Sequence, residues 1–435
     1  MLYLFSYLIL MTSSDMMQLK FFGGAQEVGR SSILLKGESS LIMDYGIKIG
    51  TGSPEFPVEV PKADALLLSH AHIDHSGAVP MLYDDTYIPA FGTAPTLELS
   101  ELLLNDSLKV ARKEHLPERF YKRQISSFSN RYIGMEYNRT FDFAEFGITM
   151  HDAGHIPGSA AFEIERNGAG TGPKRIVYTG DFKMEPQILH NGAVPVKCDA
   201  LIIESTYALR GHPNRPELVG RFIERVREVL ERGGNVLLPA FAVGRSQELL
   251  AMLYKNGMID ITYVDGMART ATDIILKYRN FIADWKLLKS ASEHTVFVEG
   301  KSDRSDALSG PSIIITTAGM LNGGPIMDYL PRVNRKSAVL LTGYQVSGTN
   351  GDLLLRTGHI NIDGKPVKVP AEVEYFDFSA HAGRDDLYEY VKGCEPSTVV
   401  CVHGDRDSST AMAEQLKEQG YDAHAPKIGE TMALE

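Results

Sequence analysis

The chain has 435 residues, which is enough for two or three domains with a substantial buried core. A hydrophobic content of 43% and a charged content of 23% are ordinary for a soluble protein, while a net charge of −11 excludes a generally basic coat for nucleic acid. The three cysteines, Cys198, Cys394 and Cys401, form no Cys-x-x-Cys motif, which argues against a disulfide framework and fits a reducing cytoplasm.

The first residues of the chain are unusual. Residues 1–11 are almost entirely apolar, but no Lys or Arg precedes them and no small-residue cleavage site follows, so they do not fit a secretory signal. They are also too few to span a bilayer. We expect residues 1–17 to be a disordered or wrongly assigned start, with translation beginning at Met16 or Met17, and we expect no membrane partner. The alternative is a short tail that packs on the body or on a partner subunit.

Predicted strands lead up to the most informative stretch of the sequence. Two apolar segments, a glycine-rich loop and a further strand indicate an antiparallel start over residues 19–44. The short apolar run 65–68 is typical of another buried strand. It is followed directly by Ser69-His70-Ala71-His72-Ile73-Asp74-His75, at the kind of strand end where open α/β sheets hold their functional groups.

Imidazole nitrogen and carboxylate oxygen are typical zinc ligands, and a cluster this tight does not close easily around one tetrahedral ion. The spacing therefore indicates two metals. His70 and His72 would face the first, and Asp74 and His75 would face a second about 4 Å away. A polar loop without metal is the alternative, which the density of ligand-type residues disfavours.

Further ligand-type residues follow other predicted strands and small-residue loops. They are Asp44, His155, Asp181 and His403. Asp181 follows a glycine at a strand end and suits a ligand that bridges both ions. Asp44 is expected to orient a metal-bound imidazole without touching metal, because ligating histidines usually donate their other N–H to such a group. Each residue alone is at least as consistent with a structural role, but together they form one pattern.

The central part of the chain is predicted to be helical and then α/β. Leucines on one side indicate a helical region over residues 96–131. Beyond residue 206 helices and strands alternate, with a helix over 217–232 and strands over 235–241, 261–264, 312–317 and 338–341, which predicts a small parallel sheet with helices on its faces. We divide the chain into residues 18–206, an inserted domain over 207–349, and residues 350–435. The insertion would cover the metal edge and form a cleft suited to a single nucleic-acid strand.

The ordered set Asp44, His70-x-His72-x-Asp74-His75, His155 and Asp181 resembles the metallo-β-lactamase superfamily. Three further motifs resemble those of its nucleic-acid-processing branch, the β-CASP nucleases. They are Glu204 in Glu-Ser-Thr-Tyr, His381 in Phe-Ser-Ala-His-Ala and His403 in Val-His-Gly-Asp. Residues 24–31 and 69–80 most resemble the cleavage and polyadenylation specificity factor nucleases, including their short archaeal relatives without KH domains. The resemblance implies an α/β fold, a metallo-β-lactamase αββα sandwich with an inserted β-CASP domain built on a parallel α/β sheet.

The resemblance also implies a zinc-dependent ribonuclease that hydrolyses single-stranded RNA by two-metal hydroxide attack, in mRNA processing, 3′-end maturation or decay. Two Zn²⁺ per chain are expected, the first held by His70, His72, His155 and Asp181, and the second by Asp74, His75, Asp181 and His403. Catalytic roles are expected for Asp74, for His381 as general acid, and for Glu204, which would hold the tautomer of His381. A homodimer and other RNA-processing or decay proteins are the expected protein partners.

Alternatives remain open within and outside the nucleases. An RNase J-like 5′-to-3′ exoribonuclease is the second candidate, although residues 378–381 lack a histidine that RNase J sequences carry before this motif. A catalytically silent subunit would be expected to have lost ligands, and a small-substrate metallo-hydrolase would not need Glu204, His381 or the insertion. The balance of endonuclease and exonuclease activity stays open. Contacts to RNA phosphates are expected from Arg245, Ser379, Thr317 and Asn322.

Overall fold

The computed structural model describes residues 16–50, 52–84, 86–168 and 172–434. The elements up to residue 204 are β1 (Met17–Gly23), β2 (Ser32–Lys36), β3 (Ser40–Met43), β4 (Ala65–Leu67), α1 (Ile73–Ser76), β5 (Ala90–Thr93), α2 (Ala94–Lys113), α3 (Lys122–Ser129), β6 (Tyr132–Met135), β7 (Thr140–Phe143), β8 (Phe146–Asp152), β9 (Ala160–Arg166), β10 (Arg175–Tyr178) and β11 (Ala200–Glu204). Short 3₁₀ turns occupy Val79–Tyr83, Ile259–Ile261 and Arg279–Phe281.

The remaining elements are α4 (Arg215–Glu231), β12 (Asn235–Pro239), α5 (Arg245–Lys255), β13 (Thr262–Asp265), α6 (Ala268–Leu276), α7 (Trp285–His294), β14 (Val296–Phe297), α8 (Lys301–Ala307), β15 (Ser312–Thr316), α9 (Ile326–Tyr329), β16 (Ala338–Leu341), α10 (Asn350–Thr357), β17 (His359–Ile362), β18 (Lys365–Lys368), β19 (Glu372–Tyr375), α11 (Arg384–Cys394), β20 (Thr398–Val402), α12 (Arg406–Glu418), β21 (Asp422–His424) and β22 (Thr431–Leu434).

The first sheet has the strand order β22-β1-β2-β3-β4-β5-β6. Strands β1, β2 and β3 pair antiparallel, as the pattern over residues 19–44 predicts, and β3 to β6 pair parallel. Met17 is fully buried and pairs with Leu434 of the last strand, so residue 17 belongs to the fold and not to the predicted disordered start. Residues 1–15 of that start lie outside the described residues.

The second sheet has the order β21-β20-β11-β10-β9-β8-β7 and packs face to face with the first. Their shared core joins Phe21 and Leu35 of the first sheet to Phe162 and Ile202 of the second. Helices α2 and α3 cover the outer face of the first sheet, and α11 and α12 cover that of the second. This is the predicted αββα sandwich, whose central strands are buried on both faces and therefore consist of nearly continuous apolar runs.

The third sheet is entirely parallel, in the order β14-β13-β15-β12-β16-β19, and has helices on both faces, as predicted. Helix α4 shows why its sequence folds this way. The side chain of Asn214 accepts a hydrogen bond from the Glu217 N–H and so caps the helix start. Leu218, Phe222 and Val226 then lie on one stripe that is buried against the sheet.

The parallel sheet reaches beyond the predicted division of the chain at residue 349. Strand β19 pairs with β16, and helix α10 with the β17–β18 hairpin packs on the same core, so this sheet extends to Tyr375. The alternation of polar and apolar residues in β19 suits an edge strand of either domain, so the sequence pattern does not assign it. The helical region 96–131 is broken before Pro117, because proline lacks the N–H that a continuous helix requires.

The carboxyl ends of parallel strands bring ligand-type side chains to one edge of the sandwich. His70 follows β4, Asp181 follows β10, Glu204 ends β11 and His403 follows β20. The inserted domain faces this edge with the carboxyl ends of its own strands, since the ring centroid of Phe241, which follows β12, lies 6.4 Å from that of His72. The site therefore lies between two sheet edges that belong to different domains.

Candidate metal centre

The His-x-His-x-Asp-His segment leaves β4 and turns at once into the short helix α1. The His75 N–H donates to the His72 carbonyl at 3.0 Å, which closes this turn. As a result the four side chains separate into two groups with atoms close enough to hold a metal. One group combines His70 and His72 with His155, and the other combines Asp74 and His75 with Asp181 and His403.

Asp181 lies between the two groups. Its Oδ2 is 3.6 Å from His70 Nε2, 3.3 Å from His75 Nε2 and 3.9 Å from His155 Nε2. Its Oδ1 faces the other way and is 3.6 Å from His403 Nε2. This is the position that a carboxylate bridging two ions requires.

The donor atoms fit metal ions better than they fit one another. The Nε2 atoms of His70, His72, His75 and His403 and the Oδ1 atom of Asp181 are buried with no hydrogen-bond partner among the described residues. Two nitrogen ligands on one tetrahedral zinc are about 3.3 Å apart, because each zinc–nitrogen bond is about 2.0 to 2.1 Å long. His72 Nδ1 and His155 Nε2 are 3.1 Å apart, close to this spacing. A cluster of unpaired buried acceptors is expensive unless a cation satisfies it.

Hydrogen bonds from the outer side hold the imidazoles in place. His75 Nδ1–H donates to Asp44 Oδ2 at 2.7 Å. The Ser69 hydroxyl also donates to Asp44, at 2.7 Å, and therefore accepts from His70 Nδ1–H at 3.0 Å. His155 Nδ1–H donates to the Ala380 carbonyl at 2.9 Å. These bonds occupy Nδ1 of His70, His75 and His155 and direct Nε2 of each ring at the centre, the arrangement that metal-binding histidines show.

The electrostatics of the site favour neutral His70 and His155 beside an ionised Asp181. His75 differs, because burial lowers its pKa but the Asp181 and Asp44 carboxylates outweigh this effect and raise the pKa well above the ordinary value. Burial lowers the pKa of His70 and His155 well below its ordinary value, and neighbouring imidazoles lower it further. Burial would raise the pKa of Asp181, but the His403 and His75 rings hold it well below the usual range of an aspartate. Neutral imidazole and ionised carboxylate are the forms that bind a divalent cation.

His381 pairs with Glu204 and also lies close enough to His155 and Asp181 to form a third group that could hold a metal. His381 Nδ1 lies 3.0 Å from Glu204 Oε2, and Glu204, which is buried, also accepts a hydrogen bond from the Phe182 N–H at 2.9 Å. Burial lowers the pKa of His381, but the carboxylates of Glu204 and Asp181 outweigh this effect and raise it to about 9. His381 is also 22% exposed, so its ring is accessible from the cleft.

The four residues expected to contact RNA phosphates lie in different places. Ser379 is beside His381, and its Oγ accepts the His381 N–H at 3.1 Å. Arg245 is only 7% exposed, and burial together with nearby Arg215 lowers its pKa to about 10. Thr317 is buried at the end of β15, and Asn322 Oδ1 accepts the Asn350 N–H at 2.9 Å. Of these four, Ser379 has a direct hydrogen bond to a residue of the site.

Several supporting residues were missed by sequence reasoning. Ser31 Oγ lies 2.7 Å from His403 Nδ1, and Tyr178 donates to Asp44 at 2.6 Å. The buried Lys183 Nζ donates to the His381 carbonyl at 3.3 Å. Their position next to recognised motifs was the only sequence feature that could have indicated a role for Ser31 and Lys183. Their partners, His403 and His381, are far away in the sequence.

Family models match most of the chain in three consecutive segments. Residues 38–195 match a metallo-β-lactamase superfamily domain, residues 246–354 match a β-CASP domain, and residues 366–426 match an RNA specificity domain of zinc-dependent metallo-hydrolases. The chain belongs to the β-CASP family. The predicted family and fold are therefore confirmed.

Relatives within the β-CASP family are similar over nearly the whole chain. A protein named probable RNase MJ4 from Methanocaldococcus jannaschii is 37% identical, with 96% of this chain and 100% of the relative covered. RNase aCSPSF2 from Saccharolobus solfataricus is 34% identical, with 96% and 85% covered. The transcription termination factor FttA from a Lokiarchaeum species is 31% identical, with 95% and 70% covered.

A solved structure shares the fold of this β-CASP chain. A crystal structure of a protein of unknown function from Enterococcus faecalis V583 has a TM-score of 0.60 at 15% identity, covering 96% of this chain and all of the other. Among the helices of the described residues, none combines the length and the hydropathy that a bilayer crossing needs.

Proposed function

We propose that this protein is a zinc-dependent ribonuclease that hydrolyses phosphodiester bonds in single-stranded RNA. The observation that carries the proposal is the presence of two ligand groups, with Asp181 lying between them, beside a His381–Glu204 pair at the same edge. A small-substrate hydrolase would need the ligand groups but would have no evident use for the second pair. The RNase names of two relatives and the RNA specificity domain support RNA as the substrate.

Each group of ligands would hold one Zn²⁺. His70, His72 and His155 would hold the first, Asp74, His75 and His403 would hold the second, and Asp181 would contact both. When bound, the two ions lower the pKa of a water molecule in the site and offset the negative charge that develops on the phosphate. The protein contributes fixed ligand orientation, because the outer hydrogen bonds of the histidines are already made.

His381 would donate a proton to the oxygen that leaves the phosphorus. Its Nδ1 is occupied by Glu204, so Nε2 is the atom left to carry the proton toward the substrate. Glu204 would fix this tautomer and stabilise the charged ring, acting as a positioning residue. Proton transfer to the 3′ oxygen gives products with a 3′-hydroxyl and a 5′-phosphate. Asp74, which is 31% exposed, would orient the attacking water.

The proposal is tested with purified protein and RNA labelled at its 5′ end, which carries either a hydroxyl or a monophosphate. The bound metal is counted in the same sample. Internal fragments from both RNAs are expected, as from a processing-factor-like endonuclease. They should disappear in Asp74→Ala and persist in Asp199→Asn. Asp199 is a suitable control because its carboxylate lies away from the metal centre, where it accepts hydrogen bonds from the Lys174 and Arg175 amides.

Two other outcomes would change the assignment. Mononucleotide release from the monophosphate RNA alone would favour the RNase J-like 5′-to-3′ exoribonuclease. No cleavage of either RNA by protein that holds two metals would contradict the proposal and favour a catalytically silent subunit or a small-substrate enzyme. A cytoplasmic location, a homodimer and partnership with other RNA-processing or decay proteins stay predictions.

A further inference from the structure

Phe241 is a large apolar side chain that is left partly open to solvent beside the metal centre. It lies just beyond the end of β12, and 37% of its surface is exposed. Its ring is tilted 51° to the ring of His72, with 6.4 Å between the centroids. A β-carbon added to Gly343 would come 3.3 Å from the Phe241 ring, so the neighbouring backbone packs closely against the other side.

The backbone of Phe241 is held in place. Its carbonyl accepts hydrogen bonds from the Ser246 hydroxyl at 2.7 Å and from the Ser246 N–H at 3.3 Å. The preceding Ala240 N–H donates to the Thr316 carbonyl at 3.0 Å, which continues the ladder to β15. The exposed ring is therefore presented from a rigid strand end and not from a loose loop.

A second exposed aromatic ring lies at the end of the adjacent parallel strand. Tyr344 follows β16, which pairs with β12, and 53% of its surface is exposed. Its ring centroid is 6.4 Å from that of Tyr207, which is in turn 5.9 Å from that of His381. Phe241 thus lies next to a metal ligand, while Tyr344 lies on the side of the proposed general acid.

Exposed aromatic rings at the mouth of a polar site need an explanation. They add nothing to metal binding, and the apolar surface of Phe241 is not used by the domain core. Rings that border a groove for single-stranded nucleic acid commonly provide stacking surfaces for bases, because every base has a π-face. In an acidic protein, stacking also supplies affinity that does not depend on a basic surface.

We propose that Phe241 and Tyr344 stack on two bases of the RNA, one on each side of the bond that is cleaved. This inference rests on the proposed ribonuclease function and deepens it, since it makes the substrate an unpaired strand with bases present at two particular positions. Recognition by stacking predicts tolerance of base identity but not of base loss. A duplex, whose bases are already stacked on one another, would be excluded.

The test combines side-chain substitutions with abasic RNAs. RNAs with one mapped cleavage site receive a single abasic ribose at each position near that site, and both cleavage rate and binding affinity are measured. The wild-type protein should lose about tenfold to a hundredfold in each at two positions. Phe241→Leu should lower the cleavage rate and the affinity for intact RNA to a similar degree. With an abasic ribose at one of these two positions, this variant should show no further decrease. Tyr344→Leu should do the same at the other.

Two further variants separate stacking from general damage. Phe241→Tyr keeps an aromatic face and should retain the wild-type pattern. Tyr87→Ala removes a ring that is even more exposed than Phe241 and Tyr344. Tyr87 precedes β5, at the sheet edge opposite to the metal centre, so this change should alter neither rate nor affinity. Metal content and thermal stability of all variants should match those of the wild type.

The outcomes separate the stacking proposal from the proposed function. The stacking proposal is overturned if Phe241→Leu has no effect. It is also overturned if the decreases in rate and affinity caused by Phe241→Leu and by the abasic ribose multiply at every position. In either case the proposed ribonuclease function is unaffected. If no RNA is cleaved, only binding affinity is compared. If Phe241→Leu and an abasic ribose then each weaken binding but do not weaken it further when combined, the ribonuclease proposal fails and the stacking proposal is supported.

Discussion

The two sheet edges that face each other in this molecule have the same backbone arrangement but carry different side chains. Both consist of the carboxyl ends of parallel strands. At the sandwich edge, His70, Asp181 and His403 are buried. Nδ1 of both histidines has a hydrogen-bond partner, while their Nε2 atoms and Asp181 Oδ1 have none among the described residues. At the edge of the inserted domain, the strand ends instead present the exposed rings of Phe241 and Tyr344.

The difference shows how one architecture can serve two tasks. Unpaired nitrogen and oxygen atoms in a buried site are stabilised when they bind cations, whereas exposed aromatic faces bind flat apolar groups by stacking. The loop that contains Ala380 and His381 joins the two regions, because the Ala380 carbonyl accepts from the ligand His155 while the His381 ring faces the cleft. Substitutions on the sandwich edge should therefore change metal content, and those on the cleft side should not.

The largest effect is expected from Asp181→Asn. Replacing the carboxylate that lies between both groups removes the negative charge that the two cations would share, so both ions should be lost together with at least about a 10⁴-fold decrease in cleavage. Metal content by mass spectrometry and single-turnover kinetics measure this. Asp199→Asn is the matched control and should behave as wild type. Retention of two metals by Asp181→Asn would show that Asp181 is not a bridging ligand.

His403→Ala should have the next largest effect. It removes one ligand of the second group only, so one ion should remain while cleavage falls about a thousandfold. His424→Ala is the control, since this partly exposed histidine pairs with Asp422 near the end of the same sheet. Loss of both ions, or of neither, would contradict the division of the ligands into two groups.

His381→Ala tests the boundary between the two regions. Both ions should stay bound, and cleavage should slow by about a hundredfold or more, as expected when a general acid is lost. Glu204→Gln keeps the shape but not the charge, and its smaller loss should not add to that of His381→Ala, because both act through one proton transfer. If His381→Ala lost a metal ion, the ring would be a ligand and the assignment of the acid would be wrong.

The smallest effect is expected from Ser31→Ala. This change removes the group next to His403 Nδ1 and leaves all ligands in place, so zinc affinity should fall about tenfold to a hundredfold with little change in rate at saturating zinc. Competition with a chelator measures the affinity. Ser397→Ala, whose hydroxyl bonds the Asp199 carbonyl elsewhere, should bind zinc as the wild type does. An unchanged affinity in Ser31→Ala would show that this hydrogen bond does not support the ligand.

Sequence reasoning selected most of the ligand-type residues that the structure brings together, because several of them follow a recognisable strand. His70, Asp181 and His403 all come after short apolar runs, and parallel strands bring such positions to one edge. Asp44 was predicted as an outer partner, but the others were beyond reach. Ser31 meets His403 only through the packing of two sheets, and the Ala380 carbonyl has no side-chain signature. Arg245 is buried because helix α5 packs its first turn into the core, and a pattern of residue types does not predict that burial.

The most direct measurement is the number of zinc ions per folded chain, determined by native mass spectrometry on wild-type protein and on His381→Ala. Two ions in both proteins are expected, because the ligand groups are complete without His381. One ion in the wild type would contradict the two-group centre, and loss of an ion in His381→Ala would contradict the separation of the metal ligands from the proton donor.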